Sequence, residues 1–346
     1  MSGTKSFDYW EFFVGEALRA NSPLYARFAE GVGHDPGLRE FAATAKEGQP
    51  HANILFAAVH FLLLRGARDP LRRFYPDLNG WKTIEGEDPF PVFKAFVESH
   101  RAELAPIIAS RITNTNEVGR SGVLHAGFRA VAAEAGEPLN LIEIGPSAGL
   151  NLIWDRYSVR YHRGSQIFAV DTPDRALVID VELRGDKVPP LGPAPKVASR
   201  VGLELNPVDL SDPDARDWLK ALIFPEHRHR FERLDAALKA YAEAKPQIRI
   251  GDALALLPNA LRDVPENQPV CVYHTYVTYQ FSGDMREALD NLLTAAGLRR
   301  TVWRLSAEGT LAGENPLILR RYHDGTRETR KLALCHPHGA WLEWFG

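Results

Sequence analysis

The spacing of apolar residues changes once along the chain, near Gly136-Glu137-Pro138, and predicts a different architecture on each side. Upstream, apolar positions recur at helical intervals. The segment "FDYWEFFVGEALRA" is amphipathic, and "NSPLYARFAEGVG" opens on a capping serine and Pro23 and closes on glycine. "HANILFAAVHFLLLRG" is apolar nearly all round, which predicts the buried central helix of a bundle. "PFPVFKAFVESHRAELAPIIASR" and "TNEVGRSGVLHAGFRAVAAEAG" add more helices, with Asn114 and Glu117 as a capping arrangement for the last. Residues 1–136 therefore read as an all-helical N-terminal domain.

Downstream, short β-rich runs alternate with helical patterns. The runs are "LNLIEI" (139–144), "RVGLEL" (200–205), "QIRI" (247–250), "PVCVYHTYV" (269–277) and "RTVWRLS" (300–306). The segments between them include "LNLIWDRY", "DALALLPNALRDV" and "GDMREALDNLLTAAG", all read as helices. Such alternation predicts an α/β domain over 137–346 with a parallel sheet and right-handed crossovers. The Asp324-Gly325 pair between two alternating runs predicts an antiparallel hairpin at the end. Residues 158–199 hold a β-like pair, "SQIFAVD" and "ALVIDVEL", then the proline-rich "KVPPLGPAPKVAS"; they read as an insertion before the second core strand, its prolines suiting an extended strap.

The turn after "LNLIEI" carries the most chemistry, and two readings share its letters. Gly145-Pro146-Ser147-Ala148-Gly149 spells G-x-S-x-G, a nucleophile elbow. That reading needs several strands upstream and a glycine-rich oxyanion loop, whereas the upstream chain is helical. It also needs an Asp and a His downstream, for which Asp284 with His323, His336 or His338 would have to serve. The same letters place Glu143, Gly145 and Gly149 as the acid-plus-glycine loop of a nucleotide-binding α/β fold. Glycines there let the backbone approach a ligand, a helix N-terminus supplies free N–H groups, and Glu143 sits near the ligand's ammonium. Ser147 is then a backbone or cap hydroxyl. A tight turn with no ligand fits the letters as well.

Composition narrows the partners. Of 346 residues, 45% are apolar and 25% charged, which suits a globular protein. A formal net charge of −3 gives no general attraction to nucleic acid or anionic lipid. The longest apolar run, "ILFAAVHFLLL" (54–64), is about half a membrane span. No secretion signal is read at "MSGTKSFDYWEFF", so the expectation is a cytoplasmic protein, with its oligomeric state open. Cys271 and Cys335 read as buried free thiols. The pairs His227/His229 and His336/His338 lack a Cys or acidic partner at ligand spacing, so no metal is expected; the first pair reads as part of a solvated helix face.

"EIGPSAGLNLIWDRY", "RVGLELNPVDL", "WLKALIFPEH", "IRIGDAL" and "TNEVGR" together resemble the bacterial family catalogued as domain of unknown function 2332, over nearly the whole chain. This resemblance implies that the segments belong to one fold. Residues 138–346 also resemble class I S-adenosylmethionine-dependent methyltransferases, whose Rossmann-like sheet has parallel strands and an antiparallel C-terminal hairpin. That resemblance implies S-adenosylmethionine as cofactor and a small-molecule methyl acceptor. It places Glu204 on the ribose hydroxyls with Asn206 beside it, Asp171 being the rival acid, and Asp252 with the Ala253 backbone on the adenine. The end of the fourth strand, "VYHTYVTYQF", is where acceptors approach. His274 could act there as a general base, or be a bonded core histidine, and Tyr276 and Tyr279 could bound the acceptor pocket. Arg120 reaches the ligand's carboxylate or merely opens its helix. A non-catalytic sensor or scaffold on the same fold is the other class of reading.

Overall fold

The computed structural model describes residues 8–170, 177–310 and 313–346. Contacts divide the chain into two units, Met1–Thr115 with Asp209–Glu232, and Asn116–Val208 with Arg233–Gly346. The first is built of helices: α1 (Tyr9–Arg19), α2 (Pro23–Gly33), α3 (Pro36–Ala42), α4 (His51–Leu64), α5 (Phe90–Ser99), α6 (Arg101–Ser110) and α8 (Pro213–Ala221). The division between units falls inside α9 (Arg228–Ala244).

Helix α4 is central, as its unbroken apolar surface predicts, and buries residues on every side from Ala52 to Leu63. Around Phe56 the rings of Phe13, Tyr25, Phe28 and Phe93 pack edge-on or tilted, and Phe28 stacks on Phe93 with centroids 4.2 Å apart. Asp8 and Asp35 cap α1 and α3 through their carboxylates. Ser22 stands at the N-cap of α2, but its hydroxyl does no capping. It donates to Glu226 Oε2 at 2.7 Å, while Glu226 Oε1 accepts the Leu24 amide at 2.9 Å, so a distant carboxylate does the work the serine was expected to do. His227 likewise turns to the Ala20 carbonyl rather than lying on a solvated face.

The second unit holds one eleven-stranded sheet. Its strands are β1 (Leu139–Ile144), β2 (Ser158–Arg163), β3 (Gln166–Val170), β4 (Val178–Arg184), β5 (Val197–Glu204), β6 (Gln247–Ile250), β7 (Val270–Thr275), β8 (Val302–Ala307), β9 (Pro316–His323), β10 (Thr326–Cys335) and β11 (Trp341–Trp344). The spatial order is β3-β2-β4-β11-β10-β9-β8-β7-β1-β5-β6. From β6 to β8 neighbours are parallel, and β8 to β11 run antiparallel in succession. All residues of β1, β7 and β8 are buried, which is why these segments read as continuous apolar runs rather than alternating ones. Asp324 and Gly325, at φ of 48° and 70°, make the expected hairpin turn between β9 and β10. Helices α10 (Ala253–Arg262) and α11 (Gly283–Gly297) pack on one face with Val272, Val302 and Tyr322.

Two expectations need correction. The segment "LNLIWDRY" forms a 3-10 helix, Leu150–Arg156, with non-helical dihedrals at Ile153, not the α-helix read there. The Tyr157 hydroxyl reaches back to the Leu150 carbonyl at 2.8 Å, and the chain enters β2 at once. The β-like pair of the insertion forms β3 and β4, and with β2 these strands extend the same sheet, β4 pairing in parallel with β11. Finally α7 (Arg120–Ala135), read with the N-terminal helices, belongs to the sheet unit. Its small residues allow close approach: a Cβ on Gly122 would lie 2.5 Å from Val181, and one on Gly127 2.6 Å from Leu305.

Truncating the ring at the centre of the helical core, Phe56→Ala, should lower stability by about 3–5 kcal/mol. Urea unfolding followed by circular dichroism measures this, and a loss below 1 kcal/mol would mean the aromatic cluster is not the core of that unit.

Candidate functional site

The candidate site lies at the carboxyl ends of β5, β1 and β7. Leaving β1, the chain turns through Gly145, Ser147 and Gly149 at φ of +66°, +56° and +82°. Glycine meets two of these conformations without strain, and Ser147 is held in the left-handed region by its surroundings. Its amide donates to Glu204 Oε2 at 2.8 Å, and the Asn206 amide donates to Oε1 of the same carboxylate at 3.0 Å. The Leu150 amide, where the chain enters the 3-10 helix, donates to Asn116 Oδ1 at 2.8 Å. Tight packing also explains the glycines without any ligand. A Cβ on Gly145 would lie 2.6 Å from Val277, and one on Gly149 3.1 Å from Ile248.

Glu143 is buried at the end of β1 and accepts the Tyr273 hydroxyl at 3.0 Å. Burial pushes its carboxyl up to about 8, helped by the negative charge of Glu204 and opposed by the Tyr273 bond and by Arg120. It is therefore largely protonated near neutrality. Arg120 opens α7, donates its Nε–H to the Pro337 carbonyl at 2.9 Å and lies 4.2 Å over the Tyr276 ring. The cap expected from Asn114 and Glu117 takes another form. Glu117 Oε1 accepts the Gly119 amide at 3.0 Å, just before the helix, and the carboxylate also faces Arg233 and His338 at 3.6 and 3.3 Å.

The acceptor-side residues fall out differently. His274 is fully buried; its Nδ1–H donates to Glu308 and its Nε2 accepts Arg304 Nε–H at 3.0 Å. Burial and the Arg304 charge lower its pKa, so it is a neutral histidine with both nitrogens engaged, and neither is left for an acceptor's proton. Tyr276 donates its hydroxyl to Asn315 at 2.6 Å and its ring lies under the Arg120 guanidinium. Tyr279 is exposed on a 3-10 turn. Asp252 caps α10 by accepting the Leu254 amide at 2.9 Å, with Ala253 opening that helix. Leu205 and Ile250, beside Glu204 and Asp252, are 64% and 71% exposed, unusual for large apolar side chains. Asp171 lies outside the described residues.

Tyr273, Asn116 and Glu308 were not singled out from sequence. Tyr273 sits inside an apolar strand and Glu308 just past another, without motif spacing. Glu308 Oε1 gathers His274 Nδ1–H and the Val277 and Thr278 amides. Among the described residues no group of three or more His, Cys, Asp or Glu is arranged to hold a metal. Both cysteines are buried free thiols, and no described helix is long and apolar enough to cross a membrane. The profile of the family described as "Uncharacterized protein conserved in bacteria (DUF2332)" matches residues 11–344. No curated protein sequence matches the chain.

Because Glu143 holds its proton more tightly folded than unfolded, folding takes up a proton between pH 4.5 and 8. The stability this group confers is present at and below pH 4.5 and is lost as pH rises through 8. Glu143→Gln keeps the Tyr273 bond and should flatten that part of the pH profile. Urea midpoints of both proteins from pH 5 to 8.5 test this; parallel profiles would show that Glu143 ionises as it does in water.

Proposed function

We propose that this chain, which belongs to that bacterial family, binds S-adenosylmethionine at the carboxyl edge of the sheet and transfers its methyl group to a small-molecule acceptor. The observation that carries the reading is where the glycine turn falls. Strands β6-β5-β1-β7-β8 have the order 3-2-1-4-5, and the turn after β1 lies where that order reverses, the crevice in which open α/β sheets bind ligands. The residues around it fit such a cofactor. Glu204 has acceptor capacity left on both oxygens for the ribose hydroxyls, since each takes one amide and can take a second donor. Leu205 and Ile250 offer an apolar surface for the adenine, and Asp252 stands at the end of β6 beside it. Glu143 and Arg120 flank the position of the amino-acid end. When bound, the cofactor supplies an electrophilic methyl group on a sulfonium; the protein's part is to hold it, exclude water and align the acceptor.

The commitment of both His274 nitrogens favours a second reading, a protein that binds the same ligand as a sensor or scaffold without turnover. Calorimetry separates binding from chemistry. S-adenosylmethionine should bind where NAD(P) does not, and Glu204→Ala should weaken it by about 1–3 kcal/mol, the cost of unpaired buried hydroxyls. Binding unchanged in that variant, or absent from the wild type, would remove the cofactor from this edge. Release of S-adenosylhomocysteine on incubation with acceptor pools distinguishes the transferase from the sensor.

The left-handed Ser147 in a G-x-S-x-G turn is also what a nucleophile elbow requires. Here Ser147 is nearly buried and its amide is spent on Glu204, so a fluorophosphonate probe should leave it unlabelled. Stoichiometric labelling at Ser147 would put a serine hydrolase in place of the methyltransferase.

A further inference from the structure

Strands β8, β9 and β10 carry a dense set of basic side chains, and nearly all of them are matched to acids. Arg304 and Arg327 share Asp290 at 2.7 and 2.6 Å, Arg321 faces Glu328 at 3.6 Å, Arg330 meets Glu134, and Lys331 meets Glu314 at 3.3 Å. Arg320 is the exception: among the described residues no carboxylate pairs with it. Among the described residues its guanidinium makes one hydrogen bond, from an N–H to Ser306 Oγ at 3.3 Å. Four of its five N–H donors are thus unspent by the protein.

The surroundings make this cation a poor match for a merely solvated surface arginine. Arg320 is half-buried in the middle of β9 and stands opposite Arg304 in the strand register. Asp290 is over-subscribed, taking two guanidinium groups and the Tyr322 hydroxyl, so the local charge stays positive. Burial and the Arg304 charge work against the Arg320 cation, with Arg327 adding to them, and Tyr322 and Asp290 offset this only in part. A partly desolvated, unneutralised guanidinium in a positive field gains more from an anion than an exposed one does. Ser306, buried and accepting from Arg320, still has its own O–H to donate. It lies in register with His274, toward the carboxyl end of β8 and two residues before Glu308.

We infer that Arg320 and Ser306 form a binding site for a small oxyanion, the carboxylate or phosphate group of a ligand, on the face of the sheet that carries α11. The site does not depend on S-adenosylmethionine being the cofactor. It would orient any acidic molecule brought to the carboxyl edge of β7 and β8, with the planar guanidinium fork donating to two oxygens and the serine hydroxyl donating to one of them.

The test uses the full chain and three anions, inorganic phosphate, acetate and chloride, titrated at constant ionic strength and followed by calorimetry and by shifts in Tm. Phosphate or acetate should bind and raise Tm where chloride does not, and the tighter of the two identifies the ligand's acidic group. Arg320→Gln should weaken that anion at least tenfold, whereas Arg321→Gln, on the opposite face of the same strand, should leave it unchanged. Arg320→Lys keeps the charge without the fork; it should lie between the two and keeps the test valid if the Gln variant does not fold. Equal anion binding by wild type and the Arg320 variants would overturn the site. So would a wild type that tells neither oxyanion from chloride.

Discussion

A strand buried on every side must satisfy its polar groups from within the protein, and β1 imposes that demand on everything around it. All six of its residues are buried, including Asn140 and Glu143. Asn140 is met by Gln268, Pro269 and Ser199, which hold the amino ends of β7 and β5 against it. Glu143 is met by Tyr273 from β7. Where the strand ends, the backbone has to leave the sheet without burying unpaired amides, each of which would cost about 1–3 kcal/mol. The left-handed turn at Gly145, Ser147 and Gly149 does this, and the Ser147 amide finds Glu204 at the end of the next strand. The same bond that closes the turn fixes the carboxylate at the crevice, so fold and candidate site share one constraint.

The parallel core was legible because burial on both faces writes itself as unbroken apolar runs, as in "LNLIEI" and "VCVYHT". The hairpin at Asp324-Gly325 was legible because its turn needs residues that tolerate positive φ. What stayed hidden was set by distant contacts. The strand "SVRYHR" is half polar and gains its place from β3 and β4 on either side. Pairing of β11 with β4 joins segments more than 150 residues apart, and no local pattern announces it. The seven residues after Gly149 have a helical pattern, yet the Tyr157 bond and the start of β2 hold them in a 3-10 turn.

The site was legible in the same uneven way. Glu143, the turn residues and Glu204 stand together because strand ends and glycines mark a carboxyl edge in sequence. Arg120 reaches the same place from α7 by stacking on Tyr276, a contact between residues far apart in the chain. Asp252 does the ordinary work of an N-cap whatever else it does. Glu308 carried no sequence signal at all, being a single acid after a strand, and only the fold shows that it gathers three donors on one oxygen.

That gathering explains what His274 is for. Arg304 is always a donor, so its bond to Nε2 fixes the proton on Nδ1, where it is given to Glu308. Arg304 is itself held by Asp290, so acid, base, imidazole and acid alternate from Asp290 to Glu308. The Glu308 end of this chain binds the Val277 and Thr278 amides and so sets the bend that follows β7. Val277 is the side chain packed against Gly145, close enough to forbid a Cβ there. A histidine free to take a proton could not also serve as a fixed link in that chain. Its influence on the crevice therefore runs through position, from Arg304 to Glu308 to Val277 to the turn after β1, and not through proton transfer.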